Sequence, residues 1–368
     1  MSEQKNIPYF GKKILSKIKL KNLKIAIVFG GMSFEHEISI VSSIAMKDVL
    51  KNELIYLFLD ASRNLYHIPT DIIKSKLFSS GDYKKYDNVY FQKGGFYKKG
   101  GFLSKEKSID FDVVLNLSHG GDGEDGILSS VLDFYDIPFI APRTEACVVS
   151  SNKFLTKGYA SSVGVNTLDY KYFTKGEKVI VDSFPAILKP VKLGSSIGVT
   201  IVKSQEELEY ALDVAYEFDN AVIIEPFISG VKEYNLAGTK VNGEFRFSII
   251  EEPQKAEFLD FDKKYLDFSR TSKAMAVDLG EKLNNEIKES FKRLYNNLFE
   301  GSIIRCDFFV IDDKVYLNEI NSIPGSMANY LFEDFNSLFN EVAKNLPVKK
   351  HIPVTYEYVN KIQASKGK

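Results

Sequence analysis

The sequence has few cysteines, almost no net charge and no long apolar run. Its two cysteines, Cys147 and Cys306, lie far apart in a chain of 368 residues. This spacing argues against a disulfide framework and against a zinc site. The formal net charge of −1 provides no basic field for nucleic acid or for an anionic membrane. No stretch reaches the roughly 18–20 apolar residues needed to cross a bilayer. We therefore expect a cytoplasmic enzyme without nucleic-acid partners and without stable membrane association.

The composition is that of an ordinary globular protein, with 44% hydrophobic and 26% charged residues. The length allows two or three domains around substantial cores. A basic segment at 12–21 lacks the apolar core and cleavage site of a secretory signal. A surface helix or a frayed extension is expected there, and membrane contact has no support. Internal repeats and low-complexity tracts are absent.

The first part of the chain alternates strands and helices. A buried-type strand at 24–29 ends at a glycine pair, and a helical stretch at about 39–50 leads to a second strand at 54–59. This order predicts a parallel sheet covered by helices. Residues 76–108 are rich in lysine, tyrosine and glycine, and they predict exposed hairpins rather than core. The strand pattern then resumes, and the first domain closes near residue 145.

A second unit runs from 151 to about 231. Its pattern predicts a helix at 153–163, followed by strands at 186–189, 198–202 and 221–225. The remainder returns as antiparallel strands with a long amphipathic helix near 281–299 and a last helix around 331–345.

The segment at 303–321 predicts a β-hairpin. Two runs of β-branched and aromatic residues flank a turn at 312–314. If the turn centres on Asp313, Asp307 lies opposite Glu319, because each is six residues from the centre.

These two carboxylates would repel each other across the strands. Arg305 shares a face with Asp307, and Asn321 shares one with Glu319, since side chains alternate along a strand. A divalent cation such as Mg²⁺ would remove the repulsion. The alternative is a pair of solvated acids on an exposed face. The neighbouring Arg305 and Asn321 favour the metal site.

Three loops carry further candidate side chains. At 30–39 a glycine turn leads into a helix, and Glu35 is placed to hold a cationic amine. The G-x-G-x-x-G spacing of a dinucleotide site is absent, and helix capping is the alternative. At 118–126 four glycines accompany His119 and Glu124 after a strand end, where open α/β sheets bind ligands. A structural role for His119 is the alternative.

The third loop, at 189–198, predicts phosphate binding. Lys189 precedes glycines and hydroxyl residues, which supply a point charge and backbone N–H donors. It is not a P-loop, because the G-x-x-x-x-G-K-[ST] pattern is absent, and a flexible hairpin is the alternative. The segment at 225–228 ends a strand so that backbone groups are available to an adenine edge. Lys189 and Glu225 with the two acids of the hairpin indicate a nucleotide site.

Five segments in this order give the chain a family resemblance. The segments at 29–39, 119–126, 189–198, 305–307 and 318–325 make it similar to the ATP-grasp enzymes, specifically the D-alanine–D-alanine ligases, from about residue 24 to 345. The resemblance implies an α/β (α+β) three-domain fold, with an N-terminal parallel-sheet domain and two antiparallel-sheet domains that grip ATP. The implied units are an N-terminal extension at 1–20, an α/β substrate domain at 21–145, a central ATP-grasp subdomain at 146–232, a C-terminal subdomain with the metal site at 233–350, and a tail at 351–368.

The same resemblance implies the reaction and its cofactors. ATP would phosphorylate the carboxylate of one D-alanine, and the amine of a second would attack the resulting D-alanyl phosphate. The dipeptide would supply peptidoglycan precursor synthesis. Two Mg²⁺ or Mn²⁺ ions would assist, and the enzyme would be a homodimer.

The resemblance also assigns roles by motif position. The residues implied in catalysis are Glu35, Ser195, Tyr265, Arg305 and Gly325. Those implied in substrate binding are Glu35, His119, Lys264, Tyr265, Arg305, Gly325 and Tyr330. ATP binding is implied for Lys153, Lys189, Ser195, Ser196, Glu225, Phe227, Ile228 and Glu233. The implied metal ligands are Asp307, Glu319 and Asn321.

Two positions depart from the family pattern. Tyr330 stands where relatives carry a small hydroxyl residue for the second substrate, so D-serine or D-lactate stays open as the acceptor. One extra residue precedes Glu233. A nucleotide-binding regulator without catalysis is a further alternative, disfavoured by the presence of Glu35 and Arg305, and an NAD-dependent dehydrogenase ranks last.

Overall fold

The computed structural model describes residues 22–98, 106–253 and 274–366. The basic segment at 12–21 and the predicted substrate residues Lys264 and Tyr265 lie outside these ranges. The described part of the chain forms three β-sheets with helices packed against them.

The first sheet has eight strands in the order β6-β5-β4-β3-β2-β1-β7-β8. Strands β2, β1, β7 and β8 are parallel, and the remaining pairs are antiparallel. The predicted parallel sheet is therefore present, but it is half of a mixed sheet. Its strands are β1 Lys24–Gly30, β2 Glu53–Leu59, β3 Leu65–Ile68, β4 Asn88–Gln92, β5 Gly95–Lys98, β6 Lys107–Ser108, β7 Val113–Asn116 and β8 Phe139–Ile140.

The prediction of exposed hairpins at 76–108 was wrong for β4 and β5. Val89 and Phe96 are fully buried in these strands and pack in one core with Leu128 and Leu132 of the helix Ile127–Phe134. Lysine, tyrosine and glycine fill the outer face and the turns, and this polar majority hides the inward-facing alternate residues.

Ten helices accompany the sheets in the described ranges, besides short 3₁₀ segments. They are α1 His36–Val49, α2 Ser75–Ser79, α3 Gly121–Glu124, α4 Ile127–Phe134, α5 Thr144–Ser151, α6 Lys153–Ser162, α7 Leu208–Tyr216, α8 Gly280–Tyr295, α9 Phe335–Lys344 and α10 Glu357–Lys366. Helix α8 buries residues 287, 290, 291, 294 and 295, the spacing of a single apolar stripe. Within the described ranges, no helix has both the length and the apolarity that a bilayer crossing requires.

Two four-stranded antiparallel sheets follow. The second sheet has the order β11-β10-β12-β9, and the third has the order β14-β13-β15-β16. This arrangement confirms the predicted pair of antiparallel sheets. Their strands are β9 Lys171–Thr174, β10 Ala186–Pro190, β11 Thr200–Val202, β12 Ala221–Pro226, β13 Lys232–Val241, β14 Glu244–Glu251, β15 Ile304–Ile311 and β16 Lys314–Asn321.

The C-terminal part of the chain packs back onto the first sheet. Helix α9 begins with its N-cap Asp334, whose side chain accepts from the Ser337 N–H at 3.0 Å. Its buried side chains Phe335, Phe339 and Val342 join the core beneath β1 and β2. This packing places the ends of the third sheet beside the glycine-rich loops of the first.

Candidate active site

One cleft of about 1640 Å³ is lined by residues from all three sheets and their loops. It brings together every described residue that the sequence predicted for the site. These are Glu35, His119, Lys153, Lys189, Ser195, Ser196, Glu225, Phe227, Ile228, Glu233, Arg305, Asp307, Glu319, Asn321, Gly325 and Tyr330.

The acidic pair lies on one side of the cleft. Asp307 pairs with Glu319 and Arg305 pairs with Asn321 in the register of β15 and β16. Arg305 binds Asp307 in a bidentate manner, with Nε at 2.7 Å from Oδ1 and Nη2 at 2.8 Å from Oδ2. Burial raises the pKa of Asp307 to about 7 against the effect of Arg305, and the Glu319 carboxylate adds to the rise. A cation here would offset the cost of placing the buried Asp307 beside the half-buried Glu319 carboxylate.

The donor set at this position suits a cation that also binds a ligand. Within the described ranges, no three histidine, cysteine, aspartate or glutamate side chains form a metal site by themselves. Mg²⁺ is commonly held by one or two carboxylates together with substrate phosphates, so Asp307 and Glu319 fit it. The Asn321 amide nitrogen lies 2.9 Å from Asp307 Oδ2, and turning this amide would present its oxygen instead.

A cluster of two lysines and one glutamate forms another side of the cleft. Glu225 Oε1 lies 2.7 Å from Lys157 Nζ, and Oε2 lies 2.7 Å from Lys189 Nζ. Burial alone would raise the pKa of Glu225, but the two lysines lower it to about 2. The sequence reasoning missed Lys157. Lys157 follows Lys153 by four residues on helix α6, so the two lysines share one face of the helix. This spacing was the available signal for Lys157.

Lys153 connects helix α6 to the glycine-rich loop that follows β10. Its ammonium group donates to the carbonyl of Leu193, and burial lowers the pKa of Lys153. The helix start is fixed by Asn152, whose side chain accepts from the Leu155 N–H at 3.1 Å. The loop is therefore held at Leu193 by an anchored residue of helix α6.

The backbone after β12 is only partly available to a ligand. The Phe227 N–H donates to the Pro185 carbonyl at 3.1 Å, so this donor is already used. The Ile228 N–H has no acceptor among the described residues. Glu233 lies nearby on β13 and accepts from the Asn318 amide at 3.4 Å.

Glu35 lies at the other end of the cleft, beneath the glycine-rich loop. The Ser195 hydroxyl donates to its carboxylate. Burial raises the pKa of Glu35, and the Glu124 carboxylate adds to the rise. A Cβ at Gly194 would lie 3.1 Å from both Glu35 carboxylate oxygens, so any larger residue there would make a tight contact with this carboxylate.

His119 belongs to a polar network between the first sheet and the C-terminal part. Its Nε2 lies 3.0 Å from Ser42 Oγ, and its Nδ1 lies 3.7 Å from Glu124 Oε1. The other oxygen of Glu124 accepts from the Ser322 hydroxyl at 3.0 Å. This network joins the loop after β7 to the loop after β16.

The segment after Gly325 has an unusual backbone. Ser326, Met327 and Ala328 are consecutive left-handed residues, with φ values of 47°, 55° and 50°. This conformation costs roughly 1–2 kcal/mol per residue for L-amino acids. The segment brings the buried Tyr330 to the cleft, where its hydroxyl lies 3.4 Å from Arg305 Nη1. Strain of this kind is frequent at functional sites.

A further ion pair, between Arg63 and Asp122, supports the loop that carries Glu35, and the sequence reasoning did not find it. The buried Asp122 receives Arg63 Nε at 3.0 Å and Nη2 at 2.8 Å. It also accepts from the Met32 N–H at 3.0 Å. Asp122 thus fixes the backbone three residues before Glu35.

Comparisons with known proteins identify the family of the chain. The family described as D-ala D-ala ligase N-terminus matches residues 24–142, and the family described as D-ala D-ala ligase C-terminus matches residues 160–342. A D-alanine–D-alanine ligase of Wolinella succinogenes is 56% identical over 347 residues, which is 94% of this chain and 100% of the relative. One from Campylobacter jejuni subsp. doylei is 52% identical over 350 residues, with 94% and 100% covered.

Solved structures give the same result. The crystal structure of a D-alanine–D-alanine ligase from Helicobacter pylori matches with a TM-score of 0.80 and 47% identity, covering 89% of this chain and 100% of that one. A D-Ala:D-Ser ligase from Enterococcus faecalis matches at 23% identity with a TM-score of 0.68, covering 88% and 98%. The second likeness supports the fold alone.

Proposed function

The chain belongs to the D-alanine–D-alanine ligase family, and we propose that it joins two D-alanine molecules through a D-alanyl phosphate. One observation carries this proposal: a single cleft holds lysines for phosphates, acids for a cation and a buried carboxylate for an amine. The product would serve peptidoglycan precursor synthesis in the cytoplasm.

The nucleotide occupies the side of the cleft near the second sheet. Lys153 and Lys189 neutralise its phosphates, and the loop residues Ser195 and Ser196 cover them. Glu225, Phe227 and Ile228 lie along the adenine, where the Ile228 N–H is a donor for the base edge. Glu233 binds the ribose.

The acidic hairpin faces the transferred phosphoryl group. Asp307, Glu319 and Asn321 would hold two Mg²⁺ or Mn²⁺ ions, which would neutralise charge between triphosphate and carboxylate. Arg305 keeps Asp307 oriented through its bidentate pair.

Glu35 and His119 bind the first D-alanine. A buried carboxylate is a favourable partner for an ammonium group, because the cation replaces the lost hydration. Ser195 joins the loop to Glu35, and this contact closes the cleft over the substrate. Closure excludes water from the acyl phosphate, which hydrolyses readily.

The second D-alanine binds near the strained segment. The Gly325 N–H and Arg305 Nη1 stabilise the oxyanion of the tetrahedral intermediate, where preorganised donors contribute most. The Tyr330 hydroxyl donates to the acceptor carboxylate. Lys264 and Tyr265 complete the substrate site in the resemblance, and this role stays a prediction.

Tyr330 also supports a second candidate function. A phenol at this position replaces the small hydroxyl of most relatives, so D-serine or D-lactate could be the preferred acceptor.

The test uses purified protein with ATP, Mg²⁺ and D-alanine, with and without D-serine or D-lactate, and follows phosphate release and product formation. We expect phosphate release that requires D-alanine and a D-alanyl-D-alanine product, with L-alanine inactive. Phosphate release independent of D-alanine would contradict the ligase proposal, whereas a mixed product would identify the other acceptor. Sedimentation of the same protein tests the implied homodimer.

A further inference from the structure

The carboxylate of Glu225 holds two lysines, one on each oxygen. Lys157 Nζ lies 2.7 Å from Oε1, and Lys189 Nζ lies 2.7 Å from Oε2. All three side chains are largely buried, with 3% of the Glu225 side chain exposed. Two cations on one buried acid give this three-residue cluster a formal charge of +1, and a single lysine would already neutralise Glu225.

The two lysines are held differently. Lys157 also donates to the Leu168 carbonyl at 3.2 Å and lies 5.3 Å from the centroid of the Tyr170 ring. Within the described ranges, Glu225 Oε2 is the hydrogen-bond acceptor of Lys189 Nζ. The Lys189 side chain is 13% exposed, compared with 4% for Lys157. Lys157 is therefore the fixed cation, and Lys189 is the one that can turn towards the cleft.

A nucleotide phosphate competes with Glu225 for Lys189. If Lys189 were the sole partner of Glu225, its transfer to the phosphate would leave a buried carboxylate without a counter-ion, which is strongly unfavourable. Lys157 removes this penalty, because it stays on Oε1 when Lys189 leaves Oε2.

We propose that Lys157 is the permanent counter-ion of Glu225 and thereby releases Lys189 to bind the phosphates of ATP. Lys157 is a positioning residue, since it acts through Glu225 and Lys189. This inference rests on the proposed ATP site.

The experiment measures the affinities of the full chain for ATP with Mg²⁺ and for adenosine by calorimetric titration. We expect Lys157→Met to lower the affinity for ATP relative to adenosine about tenfold, because Lys189 is retained by Glu225. In the Glu225→Gln background the same substitution should change this ratio less than about twofold, because a neutral side chain no longer retains Lys189.

The two backgrounds separate the proposal from simpler explanations. A general charge effect of Lys157 on the triphosphate would give the same loss in both backgrounds and would overturn the proposal. Equal loss of ATP and adenosine would assign Lys157 to packing and would also overturn it. Lys171→Met removes a lysine that pairs with Asp182 on the surface and is the matched control.

Lys189→Met tests the underlying ATP site. Loss of ATP affinity relative to adenosine in this variant, together with no effect of Lys157→Met, would reject the inference and keep the proposed function. No binding of ATP to the wild-type protein would reject both. Should Lys157→Met not fold, Lys157→Gln replaces it in both backgrounds. If neither Lys157→Met nor Lys157→Gln folds while Glu225 is intact, Lys157 has a structural role, and this result would overturn the proposal.

Discussion

Asp307 and Glu319 face each other because a one-residue bulge interrupts the hairpin that carries them. From Ile311–Lys314 to Phe308–Leu317 the strands pair around a two-residue turn at Asp312 and Asp313. Continued without interruption, this register would place Asn318 opposite Asp307. The register shifts between Asp307 and Phe308, and Asn318 is the extra residue. The bulge therefore aligns the two carboxylates of the proposed metal site.

Removing either carboxylate should stop turnover and leave the fold intact. We expect Asp307→Asn and Glu319→Gln each to lower kcat at least about 100-fold, because a cation held there stabilises transition-state charge. Steady-state kinetics and thermal melting check this. Asp313→Asn at the exposed turn is the control, since asparagine tolerates its left-handed backbone. Near-normal activity in both variants would place the metal elsewhere.

A methyl group at Gly194 should weaken closure of the glycine-rich loop. Gly194→Ala places a Cβ 3.1 Å from the Glu35 carboxylate oxygens, so the carboxylate or the loop must shift by a few tenths of an ångström. We expect kcat/KM for D-alanine to fall about tenfold, because substrate alignment depends on small displacements. Gly158→Ala on helix α6 meets open space and should be neutral or stabilising. Equal kinetics for the two variants would show that the loop does not need this contact.

The Phe34 ring connects the two sides of the cleft entrance. It is 61% exposed and meets the Phe218 ring edge-on, with centroids 5.3 Å apart. We expect Phe34→Ala to lower kcat/KM about two- to tenfold, in line with about 0.5–1.5 kcal/mol for an aromatic pair. The melting temperature should stay unchanged. Phe134→Ala, at an 81% exposed position on α4, is the control. A loss of stability without a kinetic effect would contradict a role in closure.

The hydroxyl of Tyr330 should act on the acceptor only. Tyr330→Phe keeps the buried ring and removes the group that lies 3.4 Å from Arg305 Nη1. We expect the KM for the second D-alanine to rise about tenfold, the typical effect of a hydrogen bond to a charged group. The KM for ATP should not change, and Tyr210→Phe on the surface of α7 should have no effect. A parallel rise in the KM for ATP would argue that Tyr330 has a general structural role.

Glu225 should make the protein sensitive to acid. Its pKa falls from 4.5 to about 2 on folding, so the ionised form is stabilised in the native state. This stabilisation is complete above pH 4.5 and is lost as the pH falls towards 2. The difference corresponds to about 3 kcal/mol. Urea unfolding at a series of pH values should show the free-energy gap between wild type and Glu225→Gln narrowing below pH 5. A constant gap would contradict the low pKa.

The sequence alone determined the local elements and much of the site. The period of apolar residues indicated β1, α8 and the hairpin, because these patterns follow from the geometry of single strands and helices. The placement of Asp307 opposite Glu319 was correct, although the reasoning assumed a turn centred on Asp313. The structure reaches the same pairing through a tighter turn and a bulge.

Only the tertiary structure decided how the distant groups meet. Ser195 reaches Glu35 across 160 residues, and Lys157 reaches Glu225 from a different element. Such contacts depend on the packing of whole sheets and helices, which no local pattern records. The burial of β4 and β5 has the same origin, since one face of these strands becomes core only when a helix packs against it. The sequence therefore indicated the candidate side chains of the cleft, and the packing of three sheets determined their partners, charges and access.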